Sequence, residues 1–491
     1  MIRSTKATDK TDGFAWLKRY FEQHRDDPAL ESLGQNAIRV LYDDLFQVIS
    51  DEKKSFTRDS SKITKASAAV RLGQGAAALR SVIAATVCFI TKKQAGAVVS
   101  HVLQVLPSND DGYLVPVELD YLKILRTILE YQAHVEHFTK TAKRNQWEEV
   151  QLFCLRGLEL EHNSNPSPSS SRDRQRRGAI SPVGNELLGC LRALTSVSNA
   201  PLIQCGPKIL HVVLPLLIDI TSQSNISISE GFGSALAALQ STLSCLALSQ
   251  SSVVHSVLPD VLTVLARLLT TANKVQAVRE EVLAILLVLK PQLASLAYRS
   301  TRSSIAAQVS SLASTLLDDY INDIPSNKQR LDLDAIDFTL HHRHTLRLMP
   351  MQQSVFTLGT STPEVETHWT QLHLTAFLHS WLDVDNDSSQ STIPSQAVTE
   401  NKMLDDDVED RGQKRAAKRR RVSTTLETLL TRVQASKSVT HGVRILQIIC
   451  FSLSTRNLSV NDLCRVVSQM LDLAAAKDGQ LASWAFICLS W

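Results

Sequence analysis

The feature that most constrains the fold of this chain is a series of evenly spaced apolar stripes between residues 183 and 317. Each stripe repeats its apolar residues at intervals of three and four, the spacing that places side chains on one face of an α-helix. Three of the stripes are Leu236, Leu239, Leu243 and Leu246, then Leu258, Val261, Leu265 and Leu268, then Ile305, Val309, Leu312 and Leu316. The spacing therefore predicts six consecutive amphipathic helices.

The stripes also recur at a nearly constant interval. The first apolar residues of successive helices are 22, 27, 22, 24 and 23 positions apart, and they are Leu187, Ile209, Leu236, Leu258, Val282 and Ile305. One helix pair thus takes about 45 to 50 residues, the repeat length of HEAT and armadillo arrays. A single pair cannot bury its stripe alone, so neighbouring pairs must stack. We therefore predict an all-α fold, a HEAT/armadillo-like helical-repeat solenoid.

The remaining sequence extends this array on both sides. The helical pattern and the polar stretches that interrupt it predict five regions: helical repeats over 1–160, a Pro/Ser-rich basic loop over 161–182, central repeats over 183–382, a disordered acidic-then-basic insertion over 383–422, and further repeats over 423–491. Thr424 followed by Glu427 predicts a capping box that restarts the array. Because arrays normally end in a polar cap and this chain stops in an apolar helix, we expect it to be truncated.

Composition limits the classes of partner and compartment. The 52 Lys and Arg nearly balance the 49 Asp and Glu, so the overall charge of +3 favours no polyanionic partner. The eight cysteines are far apart and form no CxxC pair, which is typical of reduced core residues in an intracellular protein. The most apolar run, Val282 to Leu289, is much shorter than the roughly 20 residues of a membrane span, and no signal peptide is evident. We expect a soluble protein without a membrane contact.

Motifs that resemble catalytic or ligand sites lack the residues that would complete them. His24-Arg25-Asp26 is kinase-like, but Glu31 stands where a catalytic-loop Asn belongs. The two GxG motifs, at 73–75 and 231–233, follow no predicted strand and are better explained as helix starts or tight helix contacts. The histidines at 341, 342, 344, 368, 373 and 379 lack the spacing and the partner ligands of a metal site, and His134 with His137 has a ligand-like spacing but no second pair of ligands. We predict no catalytic, cofactor or metal residue in this chain.

One strongly basic cluster lies in the predicted insertion. Residues 411–421, RGQKRAAKRRR, carry seven basic side chains in eleven positions. Such a cluster fits the acidic groove of an importin, although it would also bind nucleic-acid phosphates or remain solvated. The favoured prediction is a nuclear localisation signal formed by Lys414, Arg415, Lys418, Arg419, Arg420 and Arg421.

The amino terminus carries a spaced motif of apolar and charged residues. It consists of Ile2, Lys6, Asp9, Lys10 and Phe14, which is apolar, x3, basic, x2, acidic-basic, x3, apolar. The motif resembles the one at the start of the ATM-type checkpoint kinases of the phosphatidylinositol-3-kinase-related family, with Asp9 where the family has Glu. By helix physics alone the motif could be only a salt-bridged first turn. Further stretches are similar in the same order, including DGFAWLKRYF, AAVRLGQGAAALR and QWEEVQLFCLRGLEL, so that the resemblance covers residues 4–160 and 405–491.

This resemblance implies a function without catalysis in the chain itself. It implies the telomere-length-maintenance and DNA-damage-repair region of a nuclear serine/threonine kinase, a scaffold for protein partners at double-strand breaks and telomeres whose association with DNA is indirect. The kinase domain, with its ATP and Mg²⁺, is absent from these residues, so only the five motif positions carry over, as a partner-binding segment. The alternative is a nuclear HEAT/armadillo scaffold or transport adaptor unrelated to kinases.

The same family phosphorylates Ser/Thr-Gln sites. Ser389 and Ser395 each precede a glutamine in the predicted insertion, which makes them candidate phosphorylation sites. Two such matches also arise by chance in a linker that contains serine and glutamine.

Overall fold

The structure is a computed structural model of the chain. It describes residues 1–58, 62–106, 115–134, 144–163, 180–196, 199–222, 230–271, 276–297, 303–322, 363–383, 424–436, 438–453, 460–475 and 479–490. Every regular element within these stretches is a helix. The helices form two compact units, Met1–Val253 and Val254–Trp491.

The first unit holds the predicted amino-terminal repeats and the first three helices of the predicted central repeats. Its helices are α1 Ala7–Gln23, α2 Ala29–Ser32, α3 Gly34–Arg58, α4 Lys62–Thr86, α5 Lys92–Val105, α6 Val115–Glu130, α7 Arg144–Asn163, α8 Pro182–Thr195, α9 Asn199–Thr221 and α10 Glu230–Ser249. The second unit begins in the first turn of α11. Its helices are α11 Ser251–Thr271, α12 Gln276–Leu296, α13 Ala306–Asn322, α14 Pro363–Asp383, α15 Thr424–Ala435, α16 Val439–Leu453, α17 Val460–Ala474 and α18 Gly479–Ser490.

The six central helices predicted from the stripes are confirmed as α8 to α13. The twelve stripe residues of α10, α11 and α13 are each no more than 3% exposed, so the apolar faces are the buried faces. The predicted helical-repeat fold is therefore correct. α15 begins at Thr424, within one residue of its predicted start, and the capping box itself stays a prediction.

One predicted helix is interrupted. The apolar spacing between Ala29 and Ser50 predicts a single helix, but the structure divides this stretch into α2 and a longer α3 at Gly34. Gly34 has a φ of +67°, a left-handed conformation that ends a helix and that glycine adopts without steric cost. The apolar periodicity continues across the break, so the pattern alone could not show it.

Each unit is organised around a helix that packs on several others. In the first unit α8 contacts α6, α7 and α10. Its side chains are accordingly buried on more than one face, and they include Leu187, Leu188, Leu191 and Leu194. In the second unit α14 contacts α12, α13, α15 and α16. Burial of these stripes contributes roughly 1.5 to 3 kcal/mol per large apolar side chain before chain entropy is subtracted.

The cysteines mostly follow the prediction of reduced core residues. All eight are free thiols, and the five at 154, 190, 245, 450 and 488 are buried. Cys88 and Cys464 are exposed. Burial, with the adjacent Cys154, raises the pKa of the Cys190 thiol.

Two helical segments are long and apolar enough to span a bilayer by composition alone, Leu202–Thr221 and Ser252–Thr270. Core helices of soluble proteins pass the same test, and 39% and 50% of these segments are buried within the fold. The expectation of a chain without membrane contact therefore stays a prediction.

Candidate protein-interaction segment

The residues before α1 fold back onto the start of that helix. The Ser4 hydroxyl donates to Asp9 Oδ2 at 2.8 Å and accepts the backbone N–H of Lys6 at 3.1 Å. α1 then begins at Ala7, with Lys6 in an extended conformation at its N-cap. Asp9 lies in the first turn, where a carboxylate interacts favourably with the positive end of the helix dipole. The motif therefore sets where α1 starts.

The apolar motif residues fix this segment to the core. Phe14 is 1% exposed. A Cβ atom added to Gly75 of α4 would lie 3.3 Å from Phe14 Cζ, so the α1 and α4 backbones approach closely there. Ile2 packs on Gly13, where an added Cβ would lie 2.9 Å from Ile2 Cγ2. Both contacts depend on a glycine that leaves room for its neighbour.

Lys10 enters an ion network that joins three helices. Its Nζ lies 3.0 Å from Glu52 Oε1 of α3, and Arg71 Nε of α4 lies 2.8 Å from Glu52 Oε2. The Glu52 side chain is only 6% exposed, so both of its oxygens are used inside the fold. Lys10 of the motif therefore pairs with Glu52 of another helix and not with a residue in the first turn of α1. Arg3 adds a second ion pair, to Asp44 of α3.

Two groups of this segment face solvent. Lys6 is exposed, and its side chain makes no hydrogen bond to the part of the chain that the structure describes. Trp16 is 55% exposed and stacks on Tyr20 with ring centroids 5.1 Å apart. Both groups are therefore accessible to a partner, whereas Phe14 and Lys10 hold the segment in place.

Sequence reasoning missed Glu52 and Arg71 as partners of the motif. A signal was present, since Glu52 continues the spacing of Leu45 and Ile49 and so lies on the buried face of α3. A carboxylate on an apolar stripe requires a cation. The identity of that cation could not be read from the spacing. The outward position of Trp16 was also missed, because it lies among the apolar residues of the segment.

The kinase-like tripeptide and the two GxG motifs lie at helix ends and at helix contacts. His24 lies after α1 and contacts Asp27, with Nδ1 and Oδ2 3.2 Å apart. Gly231 starts α10, and its N–H donates to Asn185 Oδ1 at 3.1 Å. Gly75 lies at the tight contact between α4 and α1. Both glycines thus have the structural roles predicted for the GxG motifs.

The described histidines lie apart from one another. His134 Nε2 donates to the carbonyl of Val87 at 3.0 Å, and His373 contacts Lys290. Across the described ranges, no three His, Cys, Asp or Glu side chains are grouped as a metal site would need. His137, His341, His342 and His344 lie outside those ranges.

Two further predictions fall outside the described residues. They are the localisation signal at Lys414, Arg415, Lys418, Arg419, Arg420 and Arg421, and the candidate phosphorylation sites Ser389 and Ser395. Both stay predictions, as do the five sequence regions and the partner-binding role of the motif.

Comparison with known proteins decides the family. Residues 122–491 match the family model described as the Tel1 spiral domain. Residues 1–148 match the model for telomere-length maintenance and DNA damage repair. The chain belongs to the Tel1 family. It is an amino-terminal region of a Tel1/ATM-type kinase, as the resemblance of the motif implied.

Individual Tel1 proteins match the chain over nearly its whole length. It is 25% identical over 522 residues to the serine/threonine-protein kinase tel1 of Emericella nidulans. That alignment covers 100% of this chain and 17% of the relative. It is 26% identical over 528 residues to the serine/threonine-protein kinase TEL1 of Gibberella zeae, covering 99% and 17%. The chain thus spans about one sixth of the length of these relatives.

A solved structure supports the Tel1 fold. The structure described as the complete CtTel1 dimer with C2 symmetry aligns with 96% of this chain and 15% of that chain, with a TM-score of 0.63 and 21% identity. At this identity the likeness concerns the fold, which is a helical solenoid.

Proposed function

We propose that this chain is the partner-binding scaffold of a Tel1-type kinase that acts in telomere maintenance and the DNA damage response. The observation that carries the proposal is the match of residues 1–148 to the telomere-length-maintenance and DNA-damage-repair family. By this proposal the chain has no catalysis of its own, and ATP and Mg²⁺ bind a kinase domain elsewhere in the protein. Its partners are proteins at chromosome ends and double-strand breaks, so its association with DNA is indirect. The alternative of a scaffold unrelated to kinases loses its basis with the family match.

The geometry of the motif suggests how the segment would serve as a docking element. Lys10, Glu52 and Arg71 join α1 to α3 and α4, which holds the outer face of α1 in one orientation. A preorganised surface loses less conformational entropy on binding than a mobile one. Lys6 and Trp16 are the accessible groups on this segment, and a half-exposed tryptophan is a typical interface anchor.

The test separates docking from folding. In the full-length kinase, Lys6→Glu combined with Trp16→Ala should shorten telomeres and reduce recovery of partner proteins after induced breaks. The matched control is Lys92→Glu with Lys93→Glu, two exposed lysines at the start of α5. Because neither pair is buried, protein abundance and thermal unfolding should be unchanged in both variants. Unchanged telomere length and partner recovery in the Lys6 and Trp16 variant would contradict the proposed role of this face.

We also propose that the basic cluster directs the protein to the nucleus by binding importin. Seven basic side chains in eleven residues give the charge density that an acidic import groove recognises. Replacing Lys418, Arg419, Arg420 and Arg421 by Ala should move a fluorescently tagged protein to the cytoplasm. Adding an unrelated import signal to that variant should restore the nuclear pool. A nuclear pool unchanged by the four substitutions would disprove the assignment.

A further inference from the structure

A lysine and a histidine from different helices meet in the second unit. Lys290 lies in the last turns of α12, and His373 lies in α14. Lys290 Nζ is 2.6 Å from His373 Nε2 and 5.4 Å from the ring centroid of Phe377. His373 and Phe377 are four residues apart, so both lie on the face of α14 that meets α12. The amine is thus held between an imidazole and an aromatic ring.

The kind of partner sets this lysine apart from three other described lysines. Lys10 and Lys54 contact carboxylates, and Lys53 donates to the carbonyls of Gln104 and Val105 at a helix end. Within the described ranges, Lys290 contacts a neutral histidine and no carboxylate. Its ammonium form is therefore half-buried without an opposite charge, which disfavours that form.

Burial decides the protonation state of both groups. Burial lowers the pKa of Lys290 to about 8, and it holds the pKa of His373 well below its ordinary value, an effect that the charge of Lys290 strengthens. The acidic residues of α12, Glu280 and Glu281, lie more than two turns away along the helix, roughly 14 to 15 Å. At pH 7.5 about a quarter of Lys290 is then the neutral amine, against about 0.1% for an ordinary lysine.

We propose that Lys290 is an acylation site, at which its amine takes the acyl group of an acyl thioester such as acetyl-coenzyme A and His373 accepts the proton. The Nζ lone pair attacks the thioester carbonyl, the C–N bond forms and the C–S bond breaks. The attack leaves a positive charge on the nitrogen of the adduct, which gives one proton to His373 Nε2, and this proton passes on to the leaving thiolate. The products are an amide at Lys290 and the free thiol, and no oxidant or reductant is needed.

The two members of the pair differ in exposure. Lys290 is partly exposed, whereas His373 is buried at 7% exposure. A donor from solvent therefore approaches on the side of Lys290, whose amine has the imidazole within hydrogen-bond distance. Acylation also removes the unpaired charge from this half-buried position, so the product is electrostatically favoured.

The experiment measures acylation of the folded 491-residue chain by acetyl-coenzyme A, with peptide mass spectrometry between pH 7 and pH 10. The matched control is Lys10, which is also half-buried but is paired with Glu52. Lys290 should react at least ten-fold faster than Lys10 at pH 7.5, and its rate should level off above about pH 8. The advantage should disappear in urea. A rate no greater than that of Lys10, or one that rises through pH 10, would overturn the proposal.

The role of His373 is tested by His373→Gln, which keeps a polar side chain of similar length. Since burial alone lowers the pKa of Lys290, the variant should acylate at least five-fold more slowly with an unchanged pH midpoint. Circular dichroism, with hydrogen exchange on α12 and α14 peptides, shows whether the variant is folded. An undiminished rate in the folded variant would remove His373 as the proton acceptor. If the variant does not fold, the comparison of Lys290 with Lys10 in the native chain still decides the acylation itself.

Discussion

The two units have the same kind of fold but differ in the partners of their buried charged side chains. In the first unit, Glu52 is held by Lys10 and Arg71, and Arg126 contacts Glu130, Glu186 and Glu230. In the described part of the second unit, Arg279 and Asp319 form a comparable pair at 3.2 Å, which Gln371 joins with a hydrogen bond to Asp319. Lys290 and Arg444 are buried or half-buried cations of this unit that contact neutral groups.

Arg444 shows how a buried cation is tolerated without a carboxylate. It is 2% exposed, its Nη1 donates to the carbonyl of Tyr320 at 2.5 Å, and its guanidinium lies 5.1 Å from the Tyr320 ring centroid. Tyr320 is in the last turn of α13, where the helix dipole supplies partial negative charge. Within the described ranges, Lys290 contacts neither a carboxylate nor the end of a helix. In the first unit, by contrast, Lys10 has a carboxylate and Lys53 has the carbonyls at the end of α5 as partners.

The largest effect is expected from removing a compensating charge in the first unit. Glu52→Ala leaves Lys10 and Arg71 half-buried and unpaired, so the free energy of unfolding of this unit should fall by about 3 to 5 kcal/mol. Hydrogen exchange measured on α3 and α4 peptides reports this loss, and α16 peptides serve as an internal reference. Asp51→Ala, at an exposed neighbouring carboxylate, should cost less than about 0.5 kcal/mol. Equal effects of the two substitutions would show that the network does not stabilise the unit.

Acid should destabilise the first unit through His101. Burial, with the charge of Lys53, lowers the pKa of His101 to about 4 from its ordinary 6.5. The unfolded chain binds the proton first, so stability present above pH 6.5 is lost as the pH falls to 4, by about 3 kcal/mol at most.

Denaturant unfolding of the first unit as a function of pH measures this loss. His101→Gln, which cannot titrate, should flatten the dependence between pH 6.5 and pH 4. The direction is the same for His373 in the second unit. Sensitivity to acid therefore does not distinguish the two units. If His101→Gln leaves the dependence of the free energy of unfolding on pH unchanged, groups other than His101 cause the loss of stability.

A smaller effect of opposite sign should distinguish the second unit. Lys290→Met removes the uncompensated charge and keeps the contact with Phe377, so it should raise the free energy of unfolding by about 1 to 2 kcal/mol at pH 7. The folded-state pKa of Lys290 is about 8 against 10.5 for the free group, so its penalty is complete below pH 8 and disappears toward pH 10.5.

Hydrogen exchange on α12 and α14 peptides measures this gain at pH 7, and urea unfolding followed to pH 10 tests its disappearance. Lys92→Met, at an exposed position, should change stability by less than about 0.5 kcal/mol at every pH. Destabilisation by Lys290→Met at pH 7 would show that His373 compensates the charge, and the contrast between the units would then be lost.

The helices and their buried faces were determined by the sequence alone. The apolar spacing identifies the buried face of a helix, because the period of the helix is a local property. An example is the stripe of Leu236, Leu239, Leu243 and Leu246. The resemblance to the family was also readable, from the five motif residues between Ile2 and Phe14 together with the similar stretches that follow them in order. The break at Gly34 was not, since glycine is also tolerated inside helices and its φ depends on the chain around it.

Only the tertiary structure decided which charges meet. Lys10 and Glu52 are 42 residues apart, and Lys290 and His373 are 83 apart. No local period relates such positions, because the register of one helix against another depends on how all their side chains pack. Spacing could show that Glu52 lies on a buried face, but not that two cations would reach it. For the same reason, only the packed helices show that Lys290 has a histidine as its partner.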